Sequence, residues 1–111
     1  MDCQKISDEV SVTGQIRPRD LPLVHAQGFR SVICNRPDGE ADDQPLFEAI
    51  DTAAQALGVI THYVPVASTG PEPDQAKVLA KLWPDLPKPV LAYCRSGARS
   101  TALIRMMNQR S

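Results

Sequence analysis

The residues of this 111-residue chain best suited to chemistry lie in one stretch, Tyr93-Cys94-Arg95-Ser96-Gly97-Ala98-Arg99-Ser100. Cys94 supplies a thiol. Gly97 stands three residues after it, Arg99 five after and Ser100 six after. A thiolate is the reactive form of cysteine, and nearby cationic groups favour it. The pattern therefore predicts a thiolate at Cys94 facing an anionic or electron-rich substrate. A cysteine at the end of a strand is, taken alone, as readily a small buried hydrophobe. That bland reading leaves Arg95, Gly97, Arg99 and Ser100 unexplained, and the chemical one uses them all.

The flanking residues must hold this loop. Val90 to Tyr93 form a short apolar run of the kind buried on both faces of a sheet. Ala98, Ala102, Leu103, Met106 and Met107 then recur at helical spacing. The sequence predicts a strand, a tight loop and a helix, with Cys94 at the strand's end. Such a loop turns backbone N–H groups inward as an anion cradle, and the helix dipole adds partial positive charge there.

The length fits one domain over residues 1–111, and the 42% of hydrophobic residues suffices for a core. A formal net charge of −1 gives no global attraction to nucleic acid or anionic membrane. No apolar run reaches a membrane span, and the first residues lack the apolar core of a signal peptide. The three cysteines are too few and too scattered for a disulfide framework, so a reducing cytoplasm is the expected location.

Along the chain, residues 1–8 read as a loose lead-in and Glu9–Val12 as a short edge strand. Pro18 opens a short helix that Gly28 ends. Ser31–Cys34 is a second strand, and the loop 35–43 carries Asp38, Glu40, Asp42 and Asp43. Pro45 opens a helix with Leu46, Phe47, Ile50, Ala53, Ala54 and Leu57 on one face, closed by Gly58. Val59–Val66 is a third strand, and Asp74 caps a helix carrying Val78, Leu79, Leu82 and Trp83. Strands alternating with helices predict an α/β fold in three layers, a mostly parallel central sheet flanked by helices. Ligands of such sheets bind at the carboxyl ends of the strands. The loops 35–43 and 67–73 therefore share an edge with Cys94, and the segment 84–89 lies at the opposite one.

Gly14-Gln15, the run Val32-Ile33-Cys34-Asn35-Arg36-Pro37-Asp38-Gly39-Glu40, and the Cys94 loop together resemble the small bacterial phosphatase-like domain family, over nearly the whole chain. Domains of that family also occur fused to metallo-β-lactamase-like hydrolases. The resemblance implies the cysteine-phosphatase fold, close to dual-specificity phosphatases, with Cys94 and Arg99 as catalytic residues and no cofactor. It also implies substrate binding by the loop residues Arg95, Ser96, Gly97, Ala98 and Ser100. Partnership with a metallo-β-lactamase-fold hydrolase or dioxygenase follows from the fusion.

The motif departs from the phosphatase signature. Tyr93 replaces the usual histidine, and four residues rather than five separate Cys94 from Arg99. The string resembles the active loop of single-domain rhodaneses, which carry one sulfur on cysteine as a persulfide. The leading expectation is accordingly sulfane-sulfur transfer, from thiosulfate or a persulfide to a thiol acceptor such as glutathione. The alternative is hydrolysis of phosphate monoesters through a phosphocysteine. A further alternative is a non-catalytic anion-binding or redox-sensing module.

Phosphoester hydrolysis calls for a general acid, for which Asp38 and Asp42 are the candidates on the correct edge. Both also read as ordinary loop acids. Trp83-Pro84-Asp85 copies the acid-loop motif of tyrosine phosphatases but falls on the wrong edge and reads as a helix end and turn. Arg36 reads chiefly as a partner for the neighbouring acids. Cys34 reads as a buried strand cysteine that could alternatively resolve a Cys94 persulfide, and Cys3 as a free surface thiol. His25 and His62 have no ligand spacing, so no metal is expected.

Overall fold

The computed structural model describes residues 2–109. Five strands make one sheet: β1 (Gln4–Lys5), β2 (Val10–Thr13), β3 (Ser31–Cys34), β4 (Ile60–Tyr63) and β5 (Val90–Tyr93), in the order β1-β2-β5-β3-β4. The pairings β2–β5, β5–β3 and β3–β4 are parallel, and only β1 runs antiparallel, against β2. Among the described residues four α-helices accompany them, α1 (Leu21–Ala26), α2 (Phe47–Gln55), α3 (Pro73–Leu82) and α4 (Ala98–Asn108), with 3₁₀ turns at Pro18–Asp20 and Trp83–Asp85.

The alternation of side chains along each strand makes two cores. Val10, Val12, Ile33, Val90 and Ala92 face Ala76 and Leu79 of α3 and Leu103 and Ile104 of α4. Val32, Cys34, Leu91 and Tyr93 face Leu21 and Val24 of α1 and Ile50 and Ala54 of α2. The expected three-layer α/β arrangement is therefore the observed one. β5 is buried along its whole length at the centre of the sheet, as its uninterrupted apolar run predicts.

Several local expectations change. Residues 4 and 5 of the lead-in pair with Val12 and Ser11, so β2 is interior rather than an edge. α2 begins at Phe47, two residues after Pro45, and Leu46 stays exposed. The third strand is only Ile60–Tyr63; beyond the regular ladder the buried Val64 and Val66 still donate N–H bonds to the Cys34 and Asn35 carbonyls, both at 2.9 Å. Glu72, not Asp74, stands at the cap of α3: its N–H donates to Gln75 Oε1 at 2.7 Å, and Asp74 lies within the first turn. On α4, Ala98 and Ala102 face outward, and Ser100, Leu103 and Ile104 make the buried stripe. Cys3 is half-buried against the α1/α2 core rather than a surface thiol, and burial raises its pKa. Trp83 packs on the α3/α4 core, with the Lys88 ammonium over its ring.

Candidate active site

The carboxyl ends of β2, β3, β4 and β5 converge on Cys94, which follows directly on β5. The loop after it is tied to β2. Cys94 N–H donates to the Thr13 carbonyl at 3.4 Å, and Gln15 N–H donates to the Arg95 carbonyl at 3.3 Å. Gly14 permits this approach, since a Cβ there would lie 3.0 Å from the Arg95 carbonyl oxygen. Gly97 turns the chain into α4 with φ of 96°, a left-handed conformation that glycine adopts without a side-chain clash.

The turn aims amide donors at sulfur. Gly97 N–H donates to Cys94 Sγ at 3.0 Å. Burial, the largest influence, pushes the Cys94 thiol up. Hydrogen bonds from the Ser100, Ser96 and Gly97 amides and from the Ser100 hydroxyl outweigh it, holding the pKa below its ordinary value. The cradle expected from residues 95–100 thus includes the amides of Ser96, Gly97 and Ser100. Ala98 contributes no such bond; its N–H donates to Ser96 Oγ at 3.4 Å.

Ser100 is fully buried, and its hydroxyl donates to Asn35 Oδ1 at 2.8 Å. Asn35 is fixed in turn by Nδ2, which donates to the Val64 carbonyl at 2.9 Å. A hydroxyl has one proton, so Ser100 serves either the Asn35 oxygen or the Cys94 sulfur at any moment.

Arg99 is held from one side. Nη1 donates to Glu40 Oε2 at 2.8 Å and to the Val66 carbonyl at 2.9 Å, and Nη2 donates to Glu40 Oε1 at 2.8 Å. Of the five guanidinium protons, those on Nε and one on Nη2 have no protein acceptor among the described residues. They form one edge of the planar group, the edge that grips an oxyanion through two parallel bonds. Glu40 also accepts from Arg36 Nε at 3.1 Å, and Arg36 Nη1 donates to Gln15 Oε1 at 3.1 Å. Hydrogen bonding to Arg99 lowers the Glu40 pKa to about 2, with further lowering by Arg36 despite a smaller opposing effect of burial. Glu40 raises the pKa of Arg99 in turn. Arg36, Glu40, Ala41, Ser68, Arg95 and Arg99 line a cleft of about 410 Å³.

The two candidate acids do not join this group. Asp38 Oδ1 accepts the Phe47 N–H at 2.8 Å at the start of α2, and the Asp38 N–H donates to the Tyr63 hydroxyl at 2.9 Å. Asp42 is exposed, with no hydrogen bond or ion pair among the described residues, and Asp43 pairs with Arg17. Asp85 lies in the 3₁₀ turn ahead of β5, at the opposite end of the strand from Cys94. Cys34 points into the α1/α2 core; its thiol donates to the Arg36 carbonyl at 3.3 Å, and burial raises its pKa. Among the described residues no cluster of His, Cys, Asp or Glu is placed to hold a metal, and no helix is long and apolar enough to cross a membrane.

Residues 2–110 match the model of the family described as beta-lactamase hydrolase-like protein, phosphatase-like domain. The chain belongs to that family. Two beta-lactamase hydrolase-like proteins are similar to this phosphatase-like domain: one from Agrobacterium fabrum, 34% identical over 93% of this chain, and one from Xylella fastidiosa, 30% identical over 88%. The domain spans only 24% and 23% of their lengths. Among solved structures, a candidate phosphatase of Neisseria meningitidis superposes with a TM-score of 0.83 at 30% identity, over 91% of this chain and 72% of that one. The core catalytic domain of a PP-IP phosphatase from Saccharomyces cerevisiae, in complex with citrate, superposes with a TM-score of 0.70 over 98% of this chain and 67% of that one. At 18% identity it shows the shared fold alone. The fold is thus that of the cysteine phosphatases, as the sequence resemblance implied. The comparisons favour phosphatase-type over sulfur-transfer readings.

Sequence reasoning counted Glu40 among the loop acids expected to pair with Arg36, as it does, but gave no role to Asn35 and Gln15. Their only signal was their presence in the motifs that carry the family resemblance.

Proposed function

We propose that this domain hydrolyses phosphate monoesters whose leaving group departs without protonation, with Cys94 as nucleophile. The observation that carries the reading is Arg99, braced by Glu40 so that its Nε/Nη2 edge stays free beside an amide-stabilised thiolate. The thiolate attacks phosphorus, forming an S–P bond as the P–O bond to the leaving group breaks. Arg99 and the loop amides take up charge on the equatorial oxygens. Water then attacks phosphorus, the S–P bond breaks, and inorganic phosphate leaves with the thiolate restored. Among the described residues no carboxyl group hydrogen-bonds the Cys94 sulfur, and the reading is accordingly restricted to aryl phosphates and other esters or anhydrides with acidic leaving groups.

The four-residue spacing from Cys94 to Arg99 favours a second reading. In it the thiolate attacks the outer sulfur of thiosulfate, an S–S bond forms, and sulfite leaves. A thiol such as glutathione then takes the sulfur from the Cys94 persulfide. This reaction needs no acid.

Intact-protein mass separates the two. The reduced protein is incubated with thiosulfate and, separately, with an aryl phosphate while free phosphate is measured. Phosphate release that Cys94→Ser abolishes, with no sulfur gain, is the expected result. A gain of about 32 Da on the wild type but not on Cys94→Ser, without phosphate release, overturns it in favour of sulfur transfer.

A further inference from the structure

The reaction as proposed uses only the cradle and one edge of Arg99. The cleft beside them is larger than one phosphoryl group requires, at about 410 Å³, and its charge is unbalanced. Three guanidiniums line it against the single carboxylate of Glu40. Glu40 is spent on Arg36 and Arg99, which lie largely buried with side-chain exposures of 8% and 11%. The Arg95 side chain is exposed and makes no hydrogen bond or ion pair among the described residues. Across the cleft, Ser68 is an exposed hydroxyl on the loop after β4. Of the acids on the loop after β3, Asp38 and Asp43 are engaged at α2 and with Arg17, and Asp42, though exposed, makes no ion pair with Arg95. A concave, arginine-lined space with one unspent guanidinium is suited to an anion.

We propose that Arg95 and Ser68 form a subsite for a second anionic group of the substrate, a carboxylate or a phosphate. The substrate would then be a compact molecule with two anionic ends, one reacting at Cys94 and the other gripped by Arg95. This rests on the phosphatase reading for the chemistry of the first end. Arg95 is a specificity-determining residue on this view, because its planar fork rewards the second anion and not the reacting one.

Protection of Cys94 from iodoacetamide tests the subsite without turnover. The probes are phenylphosphonate, 4-carboxyphenylphosphonate and 1,4-phenylenediphosphonate, with alkylation followed by intact mass. The expected result is that one or both doubly anionic probes protect at roughly tenfold lower concentration than phenylphosphonate, the increment of one charge-assisted contact. Which of the two gains identifies the second anion as carboxylate or phosphate. Arg95→Met should erase the difference between probes, and Ser68→Ala should reduce it. Equal protection by all three probes, or an advantage that persists in Arg95→Met, overturns the subsite and leaves the phosphatase reading standing. Absence of protection by any phosphonate overturns both.

Discussion

The Glu40 carboxylate lies bidentate on the Arg99 guanidinium, at 2.8 Å through both nitrogens, although 59 residues separate the two in sequence. The contact crosses from the loop after β3 to the first turn of α4. It consumes the outer end of Arg99 and leaves the Nε/Nη2 edge for an oxyanion. Glu40→Gln keeps the shape but removes the charge and one of the acceptors. Charge-assisted bonds of this kind are worth about 1.5–3 kcal/mol, so kcat/KM for an aryl phosphate should fall about tenfold to a hundredfold. Steady-state kinetics at neutral pH measure this, and unchanged kcat/KM would show that Arg99 needs no brace.

The same pair predicts a pH dependence of stability. The Glu40 pKa falls from an ordinary 4.5 to about 2 in the folded protein. A depressed carboxylate pKa contributes stability that is fully present above the unfolded value and is lost as pH falls through the folded one. The Glu40 share should therefore disappear between about pH 4.5 and pH 2. Urea midpoints at pH 7 and pH 3 should differ less in Glu40→Gln than in the wild type. An equal acid loss in both would remove Glu40 from the account.

Cys94 and Ser100 give a prediction about the nucleophile itself. The amides of Ser96, Gly97 and Ser100 remain when the Ser100 hydroxyl is removed, so Ser100→Ala should raise the Cys94 pKa only in part. Iodoacetamide alkylation against pH should give a wild-type midpoint below the free-thiol value of about 8.5 and a higher midpoint in Ser100→Ala. The substitution also strips Asn35 Oδ1 of its donor in a buried position, at a cost of about 1–3 kcal/mol. A lowered urea midpoint with no change in the thiol titration would mean that Ser100 serves Asn35 and not the sulfur.

What the sequence made legible follows from the range of each interaction. The β5–loop–α4 unit was readable because its cues are local: four consecutive apolar residues, a glycine three after Cys94, and a helical repeat. The layer order and the edge bearing Cys94 followed from the alternation of elements. The length of β4 was not readable, because Val64 and Val66 pack on the α3/α4 core and bond to the Cys34 and Asn35 carbonyls beyond the regular ladder, which ends at Tyr63. Nor were the contacts that finish the site. Ser100 meets Asn35 across 65 residues and Arg99 meets Glu40 across 59, and no local pattern encodes which acid of the loop 35–43 turns inward. Composition could say that acids stood on the correct edge. It could not say that the inward one would be paired and ionised rather than protonated.

Gly14 and Gly28 make a matched pair for testing the approach of β2 to the active loop. A methyl group at Gly14 would stand 3.0 Å from the Arg95 carbonyl oxygen, which is backbone and cannot swing away. Gly14→Ala should push the loop off β2, costing about 1–3 kcal/mol as an overpacked site does, and move the Cys94 pKa back toward its ordinary value as the amides lose their aim. Gly28 has φ of 95° with open space around it. Gly28→Ala should cost about 1–2 kcal/mol of backbone strain and leave the thiol titration untouched. If the two variants titrate alike, the contact does not set the loop.

Asp38 decides whether a general acid is present. Its carboxylate accepts the Phe47 N–H at 2.8 Å and stands beside the buried Cys34 and Tyr93, where its charge raises both pKa values in small part. Burial is the larger cause in each case. A carboxylate committed to the start of a helix is a capping group, and removing such a group costs about 0.5–2 kcal/mol. Asp38→Ala should thus lower the urea midpoint yet keep kcat within about twofold on an aryl phosphate, whose leaving group departs without a proton. The wild type should turn over an alkyl phosphate about a hundredfold more slowly than the aryl one, the factor a positioned acid supplies. A much smaller aryl-to-alkyl gap that Asp38→Asn widens to that factor would identify Asp38 as the missing acid, released from α2 when substrate binds. A wide gap that the substitution leaves unchanged is what the geometry of this loop predicts.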